Sequence, residues 1–589
     1  MKKIASELLV ERLVDWGVEI VFGLPGDGIN GITEGFRRHA DRIRFVLVHH
    51  EEGAAFMATG YAKTTGKLGV CLATSGGGAI HLLNGLYDAK LDHTPVLAIT
   101  GMQGPSLLGT GFQQEVHTEH LFADVAEYNA MVHIPGHIPT LVDKAVRTAL
   151  SRRTVSHITF PVDIQEAAAD FDPWSIGAPA RLPETAPTLI QAPGVPDGAD
   201  LQRAAAVLNE GSKVVMLVGA GALGAREQVL RVAECLGSPI VKTLSGKAVV
   251  PDDHPLTTGG LGLLGTKPTE DVMDGADTLF MVGTNFPFTE HLPKAGIRTV
   301  QIEADPTRAG DRIPTEVPLV GDTTRTLNAL LPLLAEKTDR GFLDQAQTAM
   351  ADWRGRMAAL EGGDRDPIQP QYLMRTIDRL AADDAILSTD SGTIATWAAR
   401  HYDIRGDRQF MLSGNLATMA PGLPYTIAAQ FAHPNRQCIA FVGDGGFAML
   451  MAEFLTAARH GLPIKVFICN NGLLGQILWE QMALGFPEYG VRWQQRANFA
   501  PWAEACGGKG IQVDDPSRVE SAVAEALAFP GPALVDVAVN PDEPPMPASI
   551  TYDQAKGFAS SFLHGQPRRA SIVSTLFRDR IRQFQGGGA

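Results

Sequence analysis

The chain has 589 residues, 45% hydrophobic and 20% charged. That is too long for one core and ordinary for a globular protein, so two or three domains are expected. A formal net charge of -15 argues against nucleic acid as a partner, and five scattered cysteines without a CxxC offer no zinc motif and read as buried thiols of a reducing compartment. In chain order, "MKKIASELLVERLVDWG" reads as an amphipathic helix and not as a signal peptide. Short apolar runs then alternate with helical patterns, which is the α/β signature. "RFVLV" leads to a helix from about Glu52, "KLGVCLAT" leads to a glycine turn, and "TPVLAIT" follows another helix; the first domain is assigned to residues 1–180. A Pro-rich stretch over 173–196 reads as a linker. "KVVMLVGAGALG", "DTLFMVGTNFPF" and "RTVQIEADP" form a central domain over 190–336. A helical connector over about 339–361 leads to "AILSTDSG", "QCIAFVGDGG", "IKVFICNN" and "PALVDVAV", a third domain over 360–545 followed by a tail over 546–589. The longest window without Asp, Glu, Lys or Arg, residues 409–435, is broken by Gly, Pro, Ser, Asn and Gln and makes a poor membrane span, so a cytoplasmic protein is expected.

The segment "FVGDGGFAMLMAEFLTAARHGLPIKVFICNNGLLGQ" is the most informative. It reads as a strand, one helix closed by Gly461, and a second strand, hence a right-handed βαβ unit. Asp444 and Asn471 then sit just past the carboxyl ends of two nearby parallel strands, the edge at which open α/β sheets bind ligands. Two hard oxygen ligands suit Mg²⁺, which completes its octahedron with water and phosphate oxygens. Gly443, Gly445 and Gly446 let backbone N–H groups approach an anion. Either motif alone reads as a turn. Together they point to a Mg²⁺-diphosphate clamp. Elsewhere, Gly219, Gly221 and Gly224 stand in GxGxxG spacing, which fits a dinucleotide site or simply tight helix–strand packing, since "IVKTLSGK" lacks the expected acid.

Gly443-Asp444-Gly445 with Asn470-Asn471 resembles the thiamine-diphosphate signature, and residues 1–560 or so resemble the pyruvate oxidase and acetolactate synthase family, closest to its quinone-linked bacterial oxidases. The resemblance implies three consecutive doubly wound α/β domains with mainly parallel sheets: the thiamine-diphosphate fold twice, around a Rossmann-like FAD-binding domain. Implied metal ligands are Asp444, Asn471 and the backbone carbonyl of Leu473. Implied thiamine-diphosphate contacts are Gly26, Gly392, Thr393, Ala417, Thr418, Gly445, Gly446, Gly472, Leu474, Gly475, Gln476 and Ile477, with Met419 supporting the bent cofactor. Glu51 corresponds to the family's catalytic glutamate, which hydrogen-bonds the aminopyrimidine; without the clamp it would read as an ordinary first-turn acid. Gln114 and Glu480 match substrate-side positions, Glu480 equally well a surface acid; His81 and His117 read as structural or as polar helpers. FAD is expected at Gly262, Leu263, Leu264, Gly265, Thr284, Asn285, Phe286, Glu303, Ala304, Asp305 and Asp322. Three departures stand out: His49-His50-Glu51 for Arg-His-Glu, Gly76-Gly77-Gly78 for Gly-Pro-Gly, and Gln113-Gln114-Glu115 for Phe-Gln-Glu, the last altering the substrate pocket.

The implied activity is oxidative decarboxylation of pyruvate or a related 2-keto acid to acetate or acetyl phosphate and CO₂, with electrons passing through FAD to quinone or O₂. The competing readings are an acetolactate-synthase-like carboligase with structural FAD, and a silent binding or scaffold homologue. The family pairs the glutamate of one subunit with the clamp of another, so a homotetramer built as a dimer of dimers is expected. In the tail, Arg568, Arg569, Arg578, Arg580 and Arg582 lie among Ile572, Val573, Leu576, Phe577, Ile581 and Phe584. Such a helix packs on a neighbouring subunit or lies peripherally at the inner face of the membrane; subunit packing is the favoured reading.

Overall fold

The computed structural model describes residues 2–170, 186–188, 194–294, 296–547 and 551–586. Most of the stretch expected as a linker over 173–196 lies outside the described residues. Three six-stranded sheets follow one another along the chain. The first contains β1 (Ile20–Gly23), β2 (Arg44–Leu47), β3 (Gly69–Ala73), β4 (Val96–Met102), β5 (Tyr128–Met131) and β6 (Val155–Pro161). The second contains β7 (Val214–Val218), β8 (Ile240–Lys242), β9 (Thr257–Gly260), β10 (Thr278–Val282), β11 (Arg298–Glu303) and β12 (Val317–Val320). The third contains β13 (Ile386–Thr389), β14 (Gln409–Met411), β15 (Cys438–Gly443), β16 (Lys465–Asn470), β17 (Lys509–Val513) and β18 (Ala533–Ala538). Every pairing within these sheets is parallel. Parallel sheets need helices on both faces, which is why β4 and β7 are buried at every position and β7 reads as an unbroken apolar run.

Strand order locates the ligand crevices. The first and third sheets share one plan, β2-β1-β3-β4-β6-β5 and β14-β13-β15-β16-β18-β17. Both reverse direction between their first and third strands in sequence. The second sheet runs β9-β8-β7-β10-β11-β12, the dinucleotide-fold order, and reverses between β7 and β10.

The first and third domains share a core. Helix Glu51–Thr65 crosses helix Gly422–Ala432 so closely that a Cβ on Gly60 would stand 2.8 Å from the Tyr425 Cα. One apolar cluster runs through both domains, from Ile20 and Ala58 to Ile427 and Leu534. The buried Glu453 adds a polar tie: its Oε1 accepts from the amides of His49 (3.0 Å) and His50 (2.9 Å).

One expectation needs revision. The single helix expected before Gly461 is two, Asp444–Leu450 and Glu453–Arg459, with a bend at Met451-Ala452. Glu453 begins the second helix, and its carboxylate is committed to the first-domain amides rather than to solvent. The tail forms helices Tyr552–Leu563 and Arg569–Gly586, and these find their packing surface on their own chain. Ile572 is fully buried with Leu473, Leu478, Trp479, Met482 and Val491. Arg568 is bound to Asp542 (2.7 and 2.8 Å), Arg365 to Asp579 (2.6 Å) and Arg582 to Asp364 (2.7 Å). Val573, Phe577 and Phe584 remain exposed. Among the described residues no helix is long and apolar enough to cross a membrane.

Candidate functional site

The reversal of the third sheet lies between β13 and β15, and the turns leaving these strands define the crevice. After β13 come Asp390, Ser391 and Gly392, with Gly392 at φ +109, before helix Thr393–His401 starts. After β15, Asp444 opens a helix directly. The two turns nearly touch: a Cβ on Gly446 would lie 1.9 Å from Asp390 Oδ2. Only glycine allows that approach. Asp390 is buried, its Oδ1 accepts from Gly422 N (2.8 Å), and its Oδ2 has no partner. Burial pushes its pKa up to about 7. Burial likewise raises that of Asp444, to about 6, against the Trp493 Nε1 hydrogen bond to its Oδ2 (2.9 Å).

Parallel register sets Gly443 opposite Cys469, so Asp444 and Asn471 leave adjacent strands at the same edge. Asn471 Oδ1 accepts from Leu473 N (3.1 Å) across Gly472, which takes φ +71. A short antiparallel bridge fixes this turn: Leu474 N donates to Val491 O (2.8 Å) and Trp493 N to Gly472 O (3.1 Å). A Cβ on Gly475 would meet Thr393 Oγ1 at 3.1 Å. Met419 Cε and Leu474 Cδ2 both stand 3.2 Å from the Cβ position of Gly445, while Ala417 and Ala420 flank Thr418-Met419 at φ +55 and +83. A carboxylate and an amide oxygen at one edge, beside two helix starts, can hold a divalent cation and a diphosphate.

One cavity of ≈ 2510 Å³ joins this crevice to the central domain. Gly392, Thr393, Ala417, Met419, Asp444 to Gly446, Asn471, Leu473 to Ile477 and Glu480 line one part. Gly262, Leu263, Leu264, Thr284, Asn285, Phe286, Glu303, Ala304, Asp305 and Asp322 line another. Thr418, Gly472 and Gly265 stand behind the wall; a Cβ on Gly265 would lie 2.3 Å from Gly260 O. The central part surrounds the β7/β10 reversal. There Gly221 N donates to Gly283 O (2.9 Å), so the GxGxxG glycines serve close backbone packing beside the cavity. Glu303 Oε1 accepts from Ala304 N (2.9 Å), Asp305 caps Thr307 N (2.9 Å) and Asp322 caps Arg325 N (2.9 Å). Asn285 Oδ1 is buried without a partner, as a site awaiting a polar ligand group would leave it.

The first-domain candidates gather elsewhere, at the β1/β3 reversal. A Cβ on Gly26 would stand 2.5 Å from Thr74 Cβ, one on Gly78 3.0 Å from Glu51 Oε1, and one on Gly76 2.9 Å from Gln114 Cβ. Gln114 sits at φ +63 and its Oε1 accepts from Ser75 Oγ (3.0 Å). Glu51 is buried, and its Oε2 accepts from His81 Nδ1 (3.0 Å). His117 stands exposed. Neither Glu51 nor Gln114 lines the large cavity, so one chain carries two separate groups of candidates.

Sequence reasoning passed over Asp390, Trp493 and Asn84 and left His81 between two roles. Asp390 lay inside a quoted motif, but its neighbour Gly446 is remote in sequence. Trp493 carries no motif at all. Asn84 donates to Glu52 Oε1 (2.6 Å) and to Thr418 Oγ1 (3.2 Å), so Asn84, oriented by Glu52, ties the first domain to the 413–419 loop. His81, left between two roles, contacts Glu51 directly.

Three family models match in chain order: Thiamine pyrophosphate enzyme, N-terminal TPP binding domain, over residues 4–121; central domain, over 201–330; and C-terminal TPP binding domain, over 390–537. The Bacillus subtilis (strain 168) protein named "Putative thiamine pyrophosphate-containing protein YdaP" is 40% identical over 561 residues, 95% of this chain and 96% of that one. "Pyruvate oxidase" of Lactiplantibacillus plantarum is 30% identical over 563 residues, 95% and 92% of the two chains. "Acetolactate synthase isozyme 1 large subunit" of Escherichia coli (strain K12) is 30% identical over 550 residues, 91% and 94%. Similarity that runs nearly end to end, over three sheets whose crevices fall where the matched domains lie, means that this chain belongs to the thiamine pyrophosphate enzyme family.

Proposed function

We propose that the chain is a thiamine-diphosphate-, Mg²⁺- and FAD-dependent enzyme that oxidatively decarboxylates pyruvate or a related 2-keto acid to acetate or acetyl phosphate and CO₂, passing electrons to quinone or O₂. The observation that carries this reading is the single cavity linking the Asp444–Asn471 edge to the β7/β10 reversal of a dinucleotide-order sheet. When bound, thiamine diphosphate supplies the electron sink for decarboxylation and FAD the two-electron acceptor. Asp444, Asn471 and the Leu473 carbonyl would hold Mg²⁺, and the amides at Gly392-Thr393 and Gly445-Gly446 the diphosphate. Met419 and Ile477 would shape the floor and exclude water. Glu51 would hold and release a proton on the aminopyrimidine side, with His81 orienting its carboxylate. Gln114 and Glu480 would orient the keto acid. Loops 262–265, 284–286 and 303–305 with Asp322 would take the flavin nucleotide.

Because Glu51 and Asp444 face different spaces within one chain, this reading needs a second copy, which makes a dimer the minimum unit and a homotetramer the expected assembly. The exposed Val573, Phe577 and Phe584 beside Arg578 and Arg580 supply the face for any peripheral membrane contact.

A second reading, a carboligase with structural FAD, draws on the acetolactate synthase relative, which matches at the same 30% identity as the oxidase. Anaerobic titration of the purified flavoprotein with pyruvate separates the two. Bleaching of the flavin absorbance with CO₂ release is expected. Acetolactate formed over an oxidised flavin would transfer the assignment to the second reading. Assays with quinone, dye and O₂ then identify the acceptor. A Glu51→Gln variant that still releases CO₂ at the parent rate would remove the proton role.

A further inference from the structure

Helix Thr393–His401 starts at the turn that faces the proposed diphosphate and ends where the third and central domains meet. Arg400, near its far end, is half-buried. Its guanidinium is spent on main-chain carbonyls: Nε donates to Leu264 O (3.3 Å), Nη2 to Leu263 O (3.1 Å) and Nη1 to Met546 O (2.5 Å). Burial pulls its pKa down to about 10, partly offset by the field of Glu270, so it is charged at neutral pH. Among the described residues, the main-chain bonds of the loop it grips otherwise run to its own domain: Leu261 N to Lys242 O (2.9 Å), Gly265 N to Gly262 O (2.8 Å) and Thr266 N to Gly260 O (3.1 Å). Leu264 also packs against the third-domain core, so the contact is apolar as well as hydrogen-bonded.

The geometry points to Arg400 as a positioning residue that fastens the flavin-side loop 261–266 to the helix whose first turn faces the diphosphate, and so sets the placement of one cofactor against the other. Arginine suits this task because its planar fork satisfies several carbonyls at once, which a lysine ammonium on a flexible stem does less well. Met546, the third acceptor, leads into the tail, so the same side chain also fixes where the tail leaves the body.

The inference rests on the proposed function for its meaning but not for its test. In the full-length protein, Arg400→Gln should weaken FAD binding by about tenfold or more, as the loss of charge-assisted hydrogen bonds implies. Affinity for thiamine diphosphate with Mg²⁺ should stay within about twofold of the parent. In anaerobic single turnovers, flavin reduction should slow more than CO₂ release, and Arg400→Lys should recover part of the loss. Unchanged FAD affinity and reduction rate would overturn the proposal. So would an equal fall in affinity for both cofactors together with a lowered melting temperature. Hydrogen exchange on the cofactor-free chain supplies an independent arm. The amides of 261–266 should exchange faster in Arg400→Gln while the strands of the central sheet do not, and unchanged exchange in that loop would also overturn it. A parent protein that takes up no flavin refutes the proposed function, and the exchange arm still decides whether Arg400 fastens the loop.

Discussion

Replacing Gly446 by alanine places a methyl group 1.9 Å from Asp390 Oδ2 and 2.9 Å from its Cγ. Van der Waals contact needs about 3.5 Å, so the carboxylate must retreat by about 1.5 Å. It is not free to do so, because its other oxygen holds the Gly422 amide at 2.8 Å at the start of helix Gly422–Ala432. Overpacking typically costs about 1–3 kcal/mol, and stranding the buried hydrogen bond about 1–3 kcal/mol more. A total of about 2–6 kcal/mol corresponds to a fall in melting temperature on the order of 5–20 °C for a domain of this size. The same movement opens the crevice between β13 and β15, so thiamine diphosphate affinity should fall with stability. Gly443→Ala is the matched control: its Cβ would meet nothing within 4 Å, and its φ of -82 suits any residue. Thermal unfolding with and without thiamine diphosphate and Mg²⁺ reads both effects. A Gly446→Ala protein that melts within about 1 °C of the parent and binds the cofactor equally would refute the steric argument.

His157 is fully buried between Thr100 Oγ1 and Asn129 Oδ1, both at 2.8 Å, and burial pushes its pKa down to about 3. In the unfolded chain the imidazole titrates near 6.5, so between those values the unfolded state binds a proton that the folded state refuses. Stability from this residue is complete above pH ~6.5 and is lost as pH falls, by about 2 kcal/mol at pH 5. Urea unfolding at pH 7.5 and pH 5 should show a smaller loss in His157→Gln than in the parent; parallel losses would count against it. Ile572→Ala removes a fully buried side chain from beneath the helix bearing Trp479 and should cost about 2–4 kcal/mol, seen as faster proteolysis of residues 551–586. Phe577→Ser, at a position 68% exposed, should leave that proteolysis unchanged; a reversed order of the two would mean that the tail docks by its other face.

What the sequence disclosed and what it withheld divide by distance along the chain. Asp444 and Asn471 were legible because strand, glycine turn and helix are local patterns, and the parallel register carries both to one edge. The three-sheet plan was legible for the same reason: buried parallel strands are continuous apolar runs such as "VVMLV". Asp390 was missed because its constraint comes from Gly446, in the helix that follows a different strand. The bend after Leu450 was missed because apolar periodicity carries across it, whereas its cause lies in Glu453 reaching the first domain. The contact of the tail with its own chain was not legible, because an amphipathic pattern says that the helix must cover something and not what. Asp364, Arg365 and Asp542, which bind it on this chain, lie outside the helix they hold.

The apolar cluster that contains both Ile20 and Leu534 bears on how the chain is made. At ribosomal speeds of about 5–20 residues per second, the first domain emerges roughly 15–60 seconds before helix Gly422–Ala432 exists to cover helix Glu51–Thr65. During that interval the alanine-rich face around Ala54 and Ala58 has no lid, while the central domain, whose own cluster is drawn from residues 201–343, can already close. Biogenesis should therefore depend on chaperones that shield the nascent amino-terminal third, and a ribosome stalled before residue 422 should present a folded middle behind a sticky, incomplete beginning.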